Sequence, residues 1–155
     1  MQNVYRSFIV PIGKYWLTDP EYLLGKNFGD WLQYLTICNV ADTAIAGGNH
    51  LEDTTKYTLN GHYEKIREDL AVLSFSTACG PGTYKDQRGQ VYCTESGLLG
   101  LVPYDYMPDA AIDDCGILVE FAEETLCFTK DGILTFGNNI IDTVSNCISL
   151  DGMEL

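Results

Sequence analysis

Hydrophobic positions change their period several times along the first half of the chain. Phe8 to Pro11 and Lys14 to Thr18 are short apolar or aromatic runs separated by Gly13, the pattern of a strand pair or of one bent strand. Asp19-Pro20 closes the second run, because proline has no amide hydrogen to donate and restricts the residue before it. From Asp30, a residue type that caps helices, Trp31, Leu32, Leu35 and Cys38 fall on one helical face. A helix is therefore predicted over Asp30 to Cys38, with Asn39 suited to its end. Between 41 and 61 the strand candidate is Lys56 to Leu59, set among the turn signals Gly47-Gly48-Asn49 and Asn60-Gly61. Tyr63 to Asp69 can start as a helix. Leu70 to Ser76 is apolar on both faces, which marks a central strand.

The second half reads as hairpins. Asp131-Gly132 within Leu126 to Phe136 can take the paired positive φ values of a type I′ turn, and its flanks alternate. Within Thr83 to Cys93, the loop Asp86-Gln87-Arg88-Gly89 fits a type I turn followed by a left-handed glycine. Ile117 to Phe121 and Ile140 to Val144 supply further strands. No alternation of strand and helix points to a parallel doubly wound sheet. The expected fold is therefore mainly β in the α+β sense: an antiparallel sheet, small barrel or sandwich with one short helix packed against it. At 155 residues, without a repeat or linker tract, a single domain over 1–155 is expected.

Charge adds a constraint. Nine Lys and Arg stand against 22 Asp and Glu, a formal charge of -13. Such a chain repels phosphate backbones, so direct nucleic-acid binding is not expected. The acidity serves solubility, or it steers the protein to a basic partner, including one whose nucleic-acid site it occupies as a decoy.

Six cysteines, Cys38, Cys79, Cys93, Cys115, Cys127 and Cys147, are spread without a CxxC pair or zinc-finger spacing. The opening FIVPI run is too short for a signal-peptide core, and no stretch approaches the roughly 18 apolar residues of a membrane span. A cytoplasmic location, with reduced and mostly buried thiols and no membrane partner, is the expectation.

Chemistry has four candidate seats. In Cys79-Gly80-Pro81-Gly82, glycine-rich backbone can offer amides to an oxyanion beside a nucleophilic Cys79, with His50 or His62 as the available bases. Gly80-Pro81-Gly82-Thr83 superficially resembles a phosphate loop but lacks the Walker lysine, so a structural corner is the favoured reading. Asp105, Asp109, Asp113 and Asp114 crowd one segment without EF-hand spacing, and read as a solvated acidic loop; no metal or cofactor is expected. Asp19 and Glu95, each at a strand end, form a candidate acid/base pair. Tyr15, Trp16, Tyr22, Tyr84, Tyr92, Tyr104 and Tyr106 cluster around the Asp-Pro corner and the glycine-rich hairpin, as a binding rim or as caps on the ends of a barrel. The ligand- or partner-binding set is thus Tyr15, Asp19, Tyr22, Gly80, Gly82, Thr83, Tyr84, Glu95 and Ser96.

The stretches YWLTDPEY (Tyr15 to Tyr22), CGPGTY (Cys79 to Tyr84), TESGLLGLVP (Thr94 to Pro103) and DGILTFG together resemble a pattern in small uncharacterised bacterial and phage proteins. In those proteins Asp-Pro-x-Tyr is followed by Gly-Asp-Gly-x-Tyr and then Asp-Ser-Gly-x-Ile-Gly. The present chain departs at Pro81 and at Glu95, where the pattern has Asp. The resemblance implies a compact accessory protein encoded by a phage or mobile element, acting in the host cytoplasm; it carries over no catalytic residue.

Three function classes follow. The leading one is a noncatalytic acidic binding protein that engages a basic host protein or sequesters a small ligand. The second is a small hydrolase using Cys79 with His62, or Asp19 with Glu95. The third is a structural or virion assembly component that forms a homo-oligomer through exposed strand edges.

Overall fold

The structure is a computed structural model, and it describes residues 5–46, 61–110, 112 and 115–145. Its strands pair antiparallel throughout and fall into three sheets. A four-stranded sheet runs β1 (Tyr5–Val10), β9 (Thr125–Lys130), β10 (Ile133–Phe136), β11 (Asn139–Asp142). A five-stranded sheet runs β3 (Gly61–Arg67), β4 (Leu70–Ser76), β7 (Leu98–Pro103), β2 (Gly13–Thr18), β8 (Ile117–Phe121). The hairpin of β5 (Gly82–Lys85) and β6 (Val91–Thr94) makes the third. Two helices, α1 (Glu21–Leu24) and α2 (Phe28–Ala46), lie on the five-stranded sheet.

The mainly antiparallel β architecture matches the sequence expectation as a sandwich. The sheets do not close into a barrel. Its central core lies between the two larger sheets: Leu17, Leu73, Phe75, Leu99, Leu101 and Val119 meet Val10, Cys127, Leu134, Phe136 and Ile141. Tyr84 and Tyr92 of the hairpin belong to the same core. Each such side chain stabilises the fold by about 1.5–3 kcal/mol on burial. A second core forms on the other face of the five-stranded sheet, where Leu70, Val72 and Val102 pack under Leu23, Leu24, Trp31, Tyr34 and Cys38. β4 is therefore buried on both sides, as its two-faced apolar pattern requires.

Several boundaries differ from the sequence reading. The runs before and after Gly13 are neither a pair nor partners in one sheet, since β1 pairs with β9 while β2 pairs with β7 and β8. The main helix spans 19 residues, and α1 precedes it. Its buried face is Trp31, Tyr34 and Cys38, whereas Leu32 and Leu35 are exposed. Asp30 is an internal residue of α2 and not its cap: it pairs with Arg67. Tyr63 to Asp69 contributes a strand, because Tyr63 packs on the inter-sheet core, edge-on to Phe8 at 5.9 Å, while Ile66 packs under α2. The last strand ends at Asp142, so Val144 stands outside it. Lys56 to Leu59 lies outside the described residues.

Both hairpin readings hold. Asp131 and Gly132 have φ values of 52° and 87°, and Gly89 has 88° with its amide donating to Asp86 O at 3.0 Å. The outer face of the four-stranded sheet carries no helix among the described residues and exposes Ile9, Leu126, Ile133 and Ile140.

Candidate functional site

Three stretches that sequence reading singled out meet in space. At the end of β2, Asp19 is fully buried. Its Oδ2 accepts from the Thr94 hydroxyl at 2.7 Å and from the Glu95 and Ser96 amides at 2.9 Å each. Its Oδ1 accepts from the Ser96 hydroxyl at 2.7 Å and from the Glu21 amide at 2.8 Å. One carboxylate thus joins the start of α1 to the Thr94–Gly97 turn some 75 residues away. A buried charge is tolerated only with such a full set of donors.

The same turn braces the glycine corner. Gly97 N donates to Thr94 Oγ1 at 2.8 Å, and Thr77 N donates to Gly97 O at 2.9 Å. The Tyr84 hydroxyl donates to Gly80 O at 2.7 Å from a ring that is 2% exposed. Ala78 N donates to Thr143 Oγ1 at 2.9 Å. The backbone of the corner reaches the surface, with Pro81 and Thr83 exposed and Gly80 and Gly82 half-buried. Its tyrosine is a buried post and not a rim.

Asp19 and Glu95 are joined through the Glu95 amide, while the Glu95 side chain is exposed. With every partner of Asp19 a donor inside the fold, proton exchange with a substrate would break the joint itself. Cys79 is disulfide-bonded, and its partner is not among the other described cysteines, Cys38, Cys93, Cys115 and Cys127, which are outside disulfides. The expectation of reduced thiols fails at Cys79, and a sulfur in a disulfide has no thiolate to attack with. His62 is buried on β3 with its Nδ1 3.6 Å from Glu64 Oε2; His50 lies outside the described residues.

The remaining tyrosines divide. Tyr15 is buried in the central core, its hydroxyl donating to Pro11 O at 2.8 Å; burial and then the neighbouring Tyr63 push it up to about 12. Tyr22 is half-buried beside Asp19, and burial followed by that charge raises its hydroxyl above the usual phenol range. Tyr92 is buried and donates to Asp86 Oδ2 at 2.8 Å. Tyr106 donates to Asp30 Oδ2 at 2.8 Å. Of the crowded acidic segment, Asp105 and Asp109 are exposed, and Asp113 and Asp114 lie outside the described residues. No group of three or more metal-binding side chains occurs among the described residues.

What sequence reading missed is a groove of about 690 Å³ along β8. One wall is the whole of β8, and the other is built from Thr125 and Leu126, the Gly137–Asn139 turn and Arg88. Glu120, Glu123 and Glu124 line it, all exposed. Among the described residues, none of the three takes part in a salt bridge. The volume falls within the range of about 300–1,000 Å³ usual for binding sites. In sequence, EFAEET offers nothing but a charged turn; only the fold of the second sheet against it makes a groove.

No protein-family model matches the chain, and neither curated proteins nor solved structures match it.

Proposed function

We propose that the protein is a noncatalytic acidic binding protein whose partner is a basic protein, in the setting of a phage or mobile-element accessory factor acting on its host. The observation that carries the reading is the contrast in the groove along β8: three unpaired carboxylates against one guanidinium, in a chain of formal charge -13. Such a surface raises the encounter rate with a cationic partner and repels nucleic acid. Fluorescence anisotropy with a lysine-rich peptide, an equally long glutamate-rich peptide and duplex DNA tests it. Binding of the lysine peptide alone, weakening as salt rises, is expected; equal binding of all three overturns it.

The reading's cellular setting has its own test. Cytoplasmic reductants work against a disulfide at Cys79. Alkylation at the moment of lysis should modify Cys79 if the protein acts in the cytoplasm, and leave it blocked if it acts in an oxidising compartment.

A second reading, assembly with a second copy, is favoured by the outer face of the four-stranded sheet, which no helix covers among the described residues. Its outward residues Ile9, Leu126, Ile133 and Ile140 are apolar. Lys130 and Asp142 stand opposite Ile133 on its two neighbouring strands, so a twofold-related face can set lysine against aspartate. Sedimentation velocity decides: a dimer abolished by Leu126→Glu supports assembly, and a monomer at high concentration removes it.

A further inference from the structure

The β8 groove holds more than negative charge. The five-stranded sheet ends in two edges, and the fold treats them differently. At β3, the pairing register shifts between Lys65 and Arg67, charged residues occupy Glu64, Lys65 and Arg67, and α2 packs alongside with Gln33 Nε2 donating to Ile66 O at 3.1 Å. These are devices by which proteins blunt a strand edge. The edges of the other sheet are also occupied: β1 lies beside β3, and β11 touches the β5–β6 hairpin through the Asp86–Ile141 bridge and through Gln87 N donating to Ile140 O at 3.1 Å.

Of these devices β8 carries one, the charged side chain of Glu120. Its sequence ILVEF has no proline, lysine or bulge, and it is in unbroken register with β2 from Gly13–Phe121 to Leu17–Ile117. Val119 and Phe121 are anchored in the central core, which holds the strand rigid. Its far side borders open groove and no further strand among the described residues. A strand edge in unbroken register, facing a groove and charged only with acid, is a template for one more strand of opposite charge.

We infer that β8 receives an extended, basic segment of the partner protein as an added strand. Main-chain hydrogen bonds to the free edge of Ile117 to Phe121 supply the register. Glu120 faces a cationic side chain of the incoming strand, and Glu123 and Glu124 meet cations where that strand runs past Phe121. Leu118, 43% exposed on the opposite face from Val119, offers an apolar contact two residues before Glu120 on the same face of the strand. This inference rests on the acidic-binder reading above and adds the site and mode of binding.

The test uses the full chain and a short labelled peptide alternating lysine and valine, with two versions N-methylated at one or the other set of alternate amides. In an added strand only one set of amides points at β8. The parent peptide should bind and shift the backbone amide resonances of Ile117 to Phe121, and one methylated version should lose roughly tenfold or more in affinity while the other keeps it. Glu120→Gln with Glu123→Gln and Glu124→Gln should weaken the parent and flatten its salt dependence. If both methylated peptides bind as well as the parent, strand addition is wrong while the acidic-binder reading stands. If no lysine peptide binds at any salt concentration, both fall.

Discussion

Two acidic regions of this molecule use carboxylates in opposite ways. Asp19 is fully buried and takes five hydrogen bonds from Glu21, Thr94, Glu95 and Ser96, leaving nothing for a ligand. Glu120, Glu123 and Glu124 line an open groove, exposed and without a salt-bridge partner among the described residues. The first fixes two distant chain segments to each other and the second costs the fold nothing to spend on a partner. An acidic residue's role is thus set by how many of its donors the fold already supplies.

The sharpest break of this comparison is Asp19→Ala. It removes one side chain and strands the Thr94 and Ser96 hydroxyls and three backbone amides around a cavity. By analogy with breaking buried charged networks, a loss of about 3–5 kcal/mol is expected in urea denaturation. Asp19→Asn, which keeps the shape and part of the acceptor capacity, should fall between that and the parent. A loss under about 1 kcal/mol would show that solvent replaces these bonds and that Asp19 is not structural.

Acid titration next tests other carboxylates that the fold has already bonded. The Arg67 guanidinium holds Asp30 below the ordinary carboxylate range. Burial pushes Asp86 up, but the Tyr92 hydroxyl and the Arg88 and Gln90 amides outweigh it, and the net direction is down. The Ser145 amide lowers Asp142. Each of these groups binds a proton less readily folded than unfolded, so the unfolded chain takes up more protons as pH falls. Their contribution is present above about pH 4 and is lost progressively below it. Melting temperature should stay level from neutrality to mildly acid pH and then drop. Asp86→Asn should flatten that drop.

Much of the fold was legible because it rests on local chemistry. Asp131-Gly132 and Asp86 to Gly89 specify their turns by backbone conformation, and β4 declares its central place by apolar residues on both faces. What was not legible depends on distant partners. β7 has no strand reading in the sequence, and Gly100 lies inside it, where a methyl group would overlap the Leu73 carbonyl oxygen of β4. β3 hides its alternation because Ile66 faces α2 and Tyr63 faces Phe8, two neighbours remote in sequence. The Asp19 joint brought together residues that sequence reading had marked, but in a bonding role that spacing alone does not reveal. The groove left no trace, since its second wall comes from Gly137 to Asn139.

The smallest expected effects are the most discriminating. Glu95 lies within the joint, but only its amide is used; Glu95→Gln should change stability by less than about 0.5 kcal/mol, because an exposed side chain away from a cap or network contributes little. The same holds for Glu120→Gln, Glu123→Gln and Glu124→Gln, singly or together, and removing like charges from an acidic surface can only relieve repulsion. If Glu95→Gln alters neither stability nor peptide binding while the groove substitutions spare stability and weaken binding, the two exposed acidic sites are separated by function as well as by place. A marked stability loss from the groove substitutions would instead make those glutamates part of the fold's own support, and would remove the reason for assigning them to a partner.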